Sequence, residues 1–174
     1  VGAPTLKQGE TELWFGVEGE APVRLHIAGR HNVRNALAAA ACAQAAGVPL
    51  ADIARGLSVF EPVQGRSRAL SVSVQGRPVT VIDDSYNANP DSMKAGIDVL
   101  AAYPAPRVFV MGQIGELGDT APALHAEVGA HARARGIERL LCLGELSRHA
   151  AKAYGAGAEY FDDIAALLAR LDAV

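Results

Sequence analysis

The order of apolar and polar positions predicts strands followed by a helix pair in the first part of the chain. Two runs of strand-forming residues, 11–17 and 21–27, precede an Ala-rich segment from Asn32 to Ala46. A second short helix is predicted over about Leu50–Leu57, after Pro49. Asn32 is a candidate cap for the first of these helices, because Asn side chains accept hydrogen bonds from free N–H groups at helix starts.

The rest of the chain alternates short apolar runs with amphipathic helices. A linker over Phe60–Ser67 leads into a predicted hairpin, Ala69–Val74 and Pro78–Ile82, that turns at Gln75-Gly76. The later strands are predicted at 107–111, 140–143 and 158–161, and the helices near 90–100, 121–134, 146–154 and 164–171. Apolar strands that alternate with helices are typical of a parallel sheet covered on both faces, so the predicted fold class is α/β. The last helix has no strand after it, and we expect the sheet to be incomplete at that end.

Two of the later helices begin at recognisable caps. Asn89 is predicted to cap a helix that has Pro90 at its first position, where the missing N–H costs nothing. Either Asp162 or Asp163 is predicted to cap the final helix.

Composition narrows the classes of function. The formal net charge of -3 and the pI near 5.9 argue against nucleic-acid binding and against binding to anionic membranes, both of which need a basic face. Cys42 and Cys142 stand in apolar surroundings and are predicted to be buried thiols in a reducing compartment. No apolar run approaches the roughly 18 residues that span a bilayer. These features predict a cytoplasmic protein without membrane insertion.

The densest polar cluster follows a predicted strand. Asp83 to Pro90 contains two carboxylates, a hydroxyl, a phenol and two amides. Ligands of open parallel sheets bind beyond the carboxyl ends of the strands, where a carboxylate can accept bonds from ribose hydroxyls and amides can orient an amino-acid-like substrate. The alternative is that these residues form Asx turns that cap the next helix.

Two glycine-containing segments follow other strands. Gly112, Gly115 and Gly118 are evenly spaced and lack the tight start of a dinucleotide-binding fingerprint, and Gly144-Glu145 is shorter still. In the helix after the first segment, His125 and His131 are predicted to lie on the exposed side rather than to bind a metal, since no carboxylate–His spacing supports a site.

The start of the Ala-rich helix is a further candidate site. Helix N-termini favour anions, and Asn35, one turn after Asn32, could contact the edge of a base. Capping alone remains the alternative for these amides. Arg66 and Arg68 flank Ser67 in the linker, where isolated arginines are usually solvated.

The order of these segments resembles the Mur ligase family. The resemblance rests on Gly-Arg-His-Asn-x-x-Asn-Ala-x-Ala-Ala at 29–39, Pro-Val-x-Gly-Arg at 62–66, Ile-Asp-Asp-Ser-Tyr-Asn-Ala-Asn-Pro-Asp-Ser-Met at 82–93, and Glu-Leu-Gly at 116–118 with His125 after it. The run that begins at Asp83 is similar to that of the member that adds D-alanyl-D-alanine to UDP-N-acetylmuramoyl-tripeptide in peptidoglycan synthesis.

The resemblance implies a domain organisation and a reaction. Residues 1–62 would be the end of the central ATPase domain, and residues 63–174 would form most of a Rossmann-like C-terminal domain with a mostly parallel sheet. In the family, which uses ATP and Mg²⁺, ATP phosphorylates the terminal carboxylate of the nucleotide-sugar peptide. The incoming amine, here D-alanyl-D-alanine, then attacks the acyl phosphate and releases phosphate.

The resemblance also implies roles for seven residues. Asn35 would contact adenine with Asn32 beside it, Arg66 would contact the phosphates or ribose, and Asp84 would bind the ribose. The side where D-alanyl-D-alanine enters would be lined by Tyr86, Asn87 and Asn89. No catalytic residue and no metal ligand is expected in this chain.

The sequence departs from the family pattern at several places, so other functions remain as alternatives to the ligase. Gln113 stands where the family usually has Asp, and the sequence contains no G-x-x-x-x-G-K-[ST] phosphate loop and no Val-Lys-Gly-Ser-Arg-like segment. The family's magnesium ligands would precede Val1, so this chain is expected to be an inactive piece of the ligase. The alternatives are a related ligase that adds another amino acid, and a stand-alone inactive domain that binds a nucleotide or a partner.

Overall fold

The computed structural model describes residues 5–6, 13–15 and 23–172, and the chain's contacts group it into two compact units. The first unit is the chain up to Val72 together with Pro78–Tyr86, and the second is Ser73–Arg77 together with the chain from Asn87. The predicted division into residues 1–62 and 63–174 concerns family domains and stays a prediction.

A small antiparallel sheet and two helices form much of the first unit. Strands β1 (Thr5–Leu6), β2 (Leu13–Phe15) and β3 (Val23–Leu25) pair in that order. Helices α1 (Arg30–Ala45) and α2 (Leu50–Ser58) follow. The two predicted strands and both helices are confirmed. The outer parts of the predicted strands at 11–12, 16–17 and 21–22 lie outside the described residues.

The core of this unit is formed by one face of β3 and one face of α1. Val23, Leu25, Val33 and Ala36 are buried together. Cys42, in contrast, lies on an exposed face of α1, so the prediction that both cysteines are buried is wrong for this one. An Ala-rich helix offers little difference between its faces, and periodicity therefore could not show which side is covered.

A hairpin follows the linker. Strands β4 (Arg68–Val74) and β5 (Arg77–Asp83) form a two-stranded sheet, which confirms the prediction. Gln75 and Gly76 have φ values of 50° and 77°, as a two-residue turn with the twist of a hairpin requires. The last residue of β5, Asp83, is also the first residue of the polar segment 83–89.

The second unit is an α/β structure with a parallel sheet, as predicted. Strands β6 (Val108–Met111), β7 (Arg139–Leu143) and β8 (Ala158–Phe161) lie side by side in that order and run in parallel. The helices are α3 (Pro90–Ala101), α4 (Ala121–Ala134), α5 (Arg148–Tyr154) and α6 (Ile164–Leu171). Short 3₁₀ turns at 118–120 and 145–147 precede α4 and α5, so the helix predicted from Leu146 begins with a 3₁₀ turn.

One face of this sheet carries the main core. Met111, Leu140 and Cys142 pack with residues of α3, α4 and α5, and the burial of Cys142 confirms its prediction. Leu141, which points to the opposite face, is also buried, and α6 contacts β7 and β8. Val110 on that second face is 43% exposed, so its cover within the described residues is partial.

Helices α4 and α5 pack at very short range. A Cβ atom at Gly129 would lie 2.1 Å from the carbonyl oxygen of Ala150. Only glycine fits there, because such a distance is far below van der Waals contact. Among the helices that the structure describes, none is long and apolar enough to span a membrane.

Candidate functional site

Within the first unit, the linker lies beside the segment that follows β5. Gly65 N donates a hydrogen bond to Asp83 Oδ2 at 3.1 Å, and Tyr86 N donates to the Gly65 carbonyl oxygen at 3.1 Å. Ser67 donates to Asp84 Oδ1 through its backbone N at 2.8 Å and through Oγ at 3.3 Å. We call these four hydrogen bonds the linker clamp. They fix the backbone on both sides of Arg66.

The residue types of the linker explain why the hydrogen bonds of the linker clamp can form. Gly65 has φ 76°, and a Cβ there would lie 2.9 Å from both Cβ and N of Tyr86. Glycine alone permits this close approach and this backbone conformation at low cost. Ser67 is buried and also has a positive φ, 49°, which an L-residue adopts only where its surroundings hold it.

Asp83 is held as an anion within this clamp. Its Oδ1 accepts hydrogen bonds from Ser85 Oγ at 2.6 Å and Ser85 N at 3.1 Å. The hydrogen bond from the Ser85 side chain, the N–H groups of Ser85 and Gly65, and the nearby charge of Arg68 lower the pKa of the Asp83 carboxyl. Asp83 thus forms an Asx turn with Ser85, whereas the cap of α3 is Asn89.

Asp84 differs from Asp83 in having a free oxygen. Both hydrogen bonds from Ser67 end on Oδ1, and Oδ2 accepts none from the residues that the structure describes. The side chain is exposed. Its carboxylate is thus fixed in direction by one oxygen while the other remains available to a hydroxyl donor.

Arg66 is stacked and not simply solvated. Its guanidinium carbon lies 4.3 Å from the centre of the Tyr86 ring. This is the geometry of a cation–π interaction, although the ring itself is 69% exposed. The sequence predicts contacts of these two residues with different substrates and does not predict their contact with each other, because 19 residues that include a hairpin separate them.

The start of α1 holds the two predicted amides. The N-cap is Gly29, with φ 101° and no side-chain cap, so the prediction that Asn32 caps the helix is wrong. The buried Asn32 donates through Nδ2 to the Ala28 carbonyl oxygen at 2.6 Å and lies 3.0 Å from His31 Nε2. Asn35 is exposed, and its Nδ2 donates to Asn32 Oδ1 at 3.1 Å. Asn32 therefore orients Asn35.

His31 connects this helix start electrostatically to the clamp. Burial lowers the pKa of the His31 imidazole, and the negative charge of Asp84 acts in the opposite direction. The four predicted nucleotide-binding residues, Asn32, Asn35, Arg66 and Asp84, all belong to the first unit.

The predicted substrate-binding residues are divided between the two units. Tyr86 belongs to the first, whereas Asn87 and Asn89 belong to the second. Asn89 caps α3 as predicted: its Oδ1 accepts from Ser92 N at 2.9 Å, and Ser92 Oγ accepts from Asn89 N at 3.0 Å. Asn87 Oδ1 accepts from Ala88 N at 2.8 Å. Both amides are exposed, and their NH₂ groups make no hydrogen bond to described residues.

The glycine loop after β6 is held by a histidine. Ile114 N donates to His125 Nε2 at 2.9 Å, and His125 Nδ1 lies 2.7 Å from the Ala121 carbonyl oxygen. His125 is fully buried, so its predicted exposure is wrong. Its spacing from Ala121 and Val128 on the buried face of α4 was the signal that could have shown this. His131 is partly exposed and pairs with Asp98 at 2.7 Å.

The same loop brings Gln113 to the carboxyl edge of the sheet. A Cβ at Gly144, which follows β7, would lie 3.2 Å from Gln113 Oε1. The amide of Gln113 thus lies near the ends of β6 and β7. Among the described residues, no group of three or more His, Cys, Asp or Glu side chains is placed to hold a metal ion.

Comparison with known proteins agrees with this arrangement of segments. Residues 65–174 match the family described as Mur ligase, glutamate ligase domain. The UDP-N-acetylmuramoyl-tripeptide--D-alanyl-D-alanine ligase of Escherichia coli K12 is 42% identical over 153 residues, which cover 88% of this chain and 33% of that protein.

Solved structures show the same fold. The crystal structure of MurF from Acinetobacter baumannii aligns with a TM-score of 0.84 and 35% identity, covering 95% of this chain and 36% of that one. The structure of Thermotoga maritima MurF in complex with ADP aligns with a TM-score of 0.78 at 20% identity and shows likeness of fold alone.

The chain thus spans about a third of the length of the relatives it matches. The family match covers most of the chain and includes part of the linker, the hairpin and the whole parallel sheet. On these grounds the chain belongs to the Mur ligase family.

Proposed function

We propose that this chain is part of an ATP-dependent ligase that adds D-alanyl-D-alanine to UDP-N-acetylmuramoyl-tripeptide in peptidoglycan synthesis. The observation that carries the proposal is the arrangement of the first unit, where a fixed carboxylate at Asp84, a stacked guanidinium at Arg66 and an exposed amide at Asn35 occur together. The similarity to the Escherichia coli enzyme supports the choice of substrates. We also propose the domain division into residues 1–62 and 63–174, and a cytoplasmic location.

On the nucleotide side, each group matches one part of ATP. The free Oδ2 of Asp84 can accept a hydrogen bond from a ribose hydroxyl, and the exposed amide of Asn35 can pair with the edge of adenine. Arg66 makes no ion pair with the described residues, so its N–H donors are available to phosphate oxygens. Asn32 contributes by holding Asn35.

On the amine side, the proposed contacts are the phenol of Tyr86 and the amides of Asn87 and Asn89. The oxygens of the two amides are used by the backbone, which leaves their NH₂ groups as donors. Donors of this kind suit the carboxylate and carbonyl oxygens of a dipeptide. The nucleophilic amine would attack the acyl phosphate, with loss of inorganic phosphate.

Of the family's two cofactors, ATP has matching residues in this chain, whereas Mg²⁺ has no suitable cluster among the described residues. ATP fits the nucleotide-side residues, and we assign no metal ligand to the described residues. The sequence also has no G-x-x-x-x-G-K-[ST] to cradle the β- and γ-phosphates. We therefore propose that the chain by itself does not transfer phosphate, and that activity belongs to the full-length enzyme.

The test is the amine dependence of phosphate release. The full-length protein that contains this sequence would be supplied with ATP, Mg²⁺ and UDP-N-acetylmuramoyl-tripeptide, and with D-alanyl-D-alanine, D-glutamate or L-alanine in turn. We expect phosphate release and a product larger by one dipeptide with D-alanyl-D-alanine only. Equal or greater turnover with a single amino acid would replace the proposed substrate, and absence of ATP use with every amine would remove the ligase assignment.

A further inference from the structure

We propose that Tyr86 is a positioning residue for Arg66, and that the face of its ring holds the guanidinium ready for the nucleotide phosphates. This inference rests on the proposed function and adds a role that the comparison of motifs does not give. The expected contact of Tyr86 with D-alanyl-D-alanine concerns its hydroxyl, whereas the role proposed here concerns the face of the ring.

The stacking geometry leaves the guanidinium free to bind an anion. The central carbon of the Arg66 guanidinium lies over the Tyr86 ring, 4.3 Å from the ring centre. A guanidinium that stacks through its face keeps its N–H donors at its edge, where a phosphate can receive them in pairs. Because Arg66 has no carboxylate partner among the described residues, this edge is not already occupied by an ion pair.

The backbone beneath the stack is fixed on both sides. The linker clamp holds Gly65 and Ser67, the two neighbours of Arg66, and the same clamp includes the N–H of Tyr86. Gly65 also approaches Tyr86 closely, since a Cβ at position 65 would lie 2.9 Å from Tyr86 Cβ and N. The clamp and the ring therefore restrict the Arg66 side chain before a ligand arrives, and less conformational entropy is lost on binding.

The exposure of Tyr86 also needs an explanation. An aromatic ring that is 69% exposed gains little from burial, so hydrophobic packing does not account for this residue. Tyr86 contacts Gly65 and Arg66 of the linker, and it belongs to the same unit as the nucleotide-side residues, unlike Asn87 and Asn89. Among the described residues, the cation that lies over the face of the Tyr86 ring is that of Arg66.

A double-mutant cycle in the full-length enzyme separates the ring from the hydroxyl. Tyr86→Leu removes the ring, Tyr86→Phe keeps it, and Arg66→Ala removes the cation. We expect Tyr86→Leu to raise KM for ATP about 2- to 5-fold, the range of an exposed cation–π interaction, and Tyr86→Phe to leave that KM unchanged. In an Arg66→Ala background, Tyr86→Leu should have no further effect on KM for ATP.

The control is Arg68→Ala, which removes an equal charge on the other side of Ser67. It should leave KM for ATP near that of the unmutated enzyme.

A second readout does not depend on catalysis. In the ¹H–¹⁵N spectrum of the chain, the ring current of Tyr86 should shift the Arg66 Nε–H resonance upfield, and the shift should vanish in Tyr86→Leu and persist in Tyr86→Phe. An unchanged KM for ATP in Tyr86→Leu, or additive effects in the double mutant, would overturn the proposal even if the stack is present. If the full-length enzyme uses ATP with an amine other than D-alanyl-D-alanine, the substrate assignment fails while the KM for ATP still tests the role of Tyr86.

Discussion

His125 accepts a hydrogen bond from the backbone N–H of Ile114, with 2.9 Å between Nε2 and N, inside the core of the second unit. Since Nε2 accepts, the proton of the neutral ring is on Nδ1, which donates to the Ala121 carbonyl oxygen. Replacing His125 with Ala would leave the buried N–H of Ile114 without a partner and create a cavity. We expect a loss of at least about 2 kcal/mol in the free energy of unfolding, measured by urea denaturation.

His131→Ala on the same helix is the matched control for this change. His131 is only partly buried and pairs with Asp98 near the surface, where such pairs contribute less than about 1 kcal/mol. Equal destabilisation by the two substitutions would contradict the structural role assigned to His125.

Gly129→Ala tests the close packing of α4 and α5. The new methyl group would lie 2.1 Å from the Ala150 carbonyl oxygen, so one helix must move. Overpacking of this kind costs about 1–3 kcal/mol or more, and the melting temperature of the second unit should fall. Gly56→Ala in α2, where no atom lies within 4 Å of the new Cβ, should instead stabilise the first unit slightly, because alanine favours helices. An unchanged melting temperature in Gly129→Ala would contradict the close approach of the two helices.

The negative charge of Asp84 should influence the pKa of His31. Burial lowers the pKa of His31, and the charge of Asp84 partly offsets this, so Asp84→Asn should lower that pKa further. A base with a lowered folded-state pKa contributes stability that is present above its ordinary value of 6.5 and is lost as pH falls below it. Titration of the His31 imidazole protons by NMR measures both variants. An unchanged His31 pKa in Asp84→Asn would place the two groups too far apart to share a site.

Protonation of Glu138 should account for part of the stability that the second unit loses at low pH. Hydrogen bonds from the Arg107 side chain and backbone hold the pKa of Glu138 at about 2, below its ordinary 4.5. The stability that this pair contributes is present above pH 4.5 and is lost as pH falls toward about 2. The difference in urea midpoint between the unmutated chain and Glu138→Gln should therefore shrink over that range. A difference that stays constant down to pH 2 would mean that the ion pair is not its source.

Sequence patterns predicted most elements of the fold because those elements depend on local interactions. The strand Ala158–Phe161, the cap of α3 at Asn89 and the turn at Gln75-Gly76 each follow from the residues themselves, through apolar runs, amide caps and residues that accept positive φ. The start of α1 was misassigned because Gly29 can adopt the φ of 101° that begins the helix three residues earlier.

Only part of the candidate site could be predicted from the sequence, because its contacts join segments that are distant along the chain. The motif order predicted roles for Asp84 and Arg66, but it could not predict the linker clamp or the Arg66–Tyr86 stack, which connect residues on either side of a hairpin. The spacing of His125 with Ala121 and Val128 could have indicated its burial, but not its partner, since the N–H of Ile114 lies 11 residues away in a glycine loop.

We propose that Asp84 and its neighbours bind the nucleotide and that Asn87 and Asn89 contact the amine substrate. The most direct test is to measure KM for ATP and KM for D-alanyl-D-alanine in Asp84→Asn of the full-length enzyme. Asn keeps an oxygen for Ser67 and so preserves the linker clamp, but it removes the charge that strengthens a bond to ribose. We expect KM for ATP to rise about 5-fold, since a neutral acceptor forms a bond roughly half as strong, and KM for D-alanyl-D-alanine to stay unchanged. An unchanged KM for ATP, or a rise confined to D-alanyl-D-alanine, would contradict the claim.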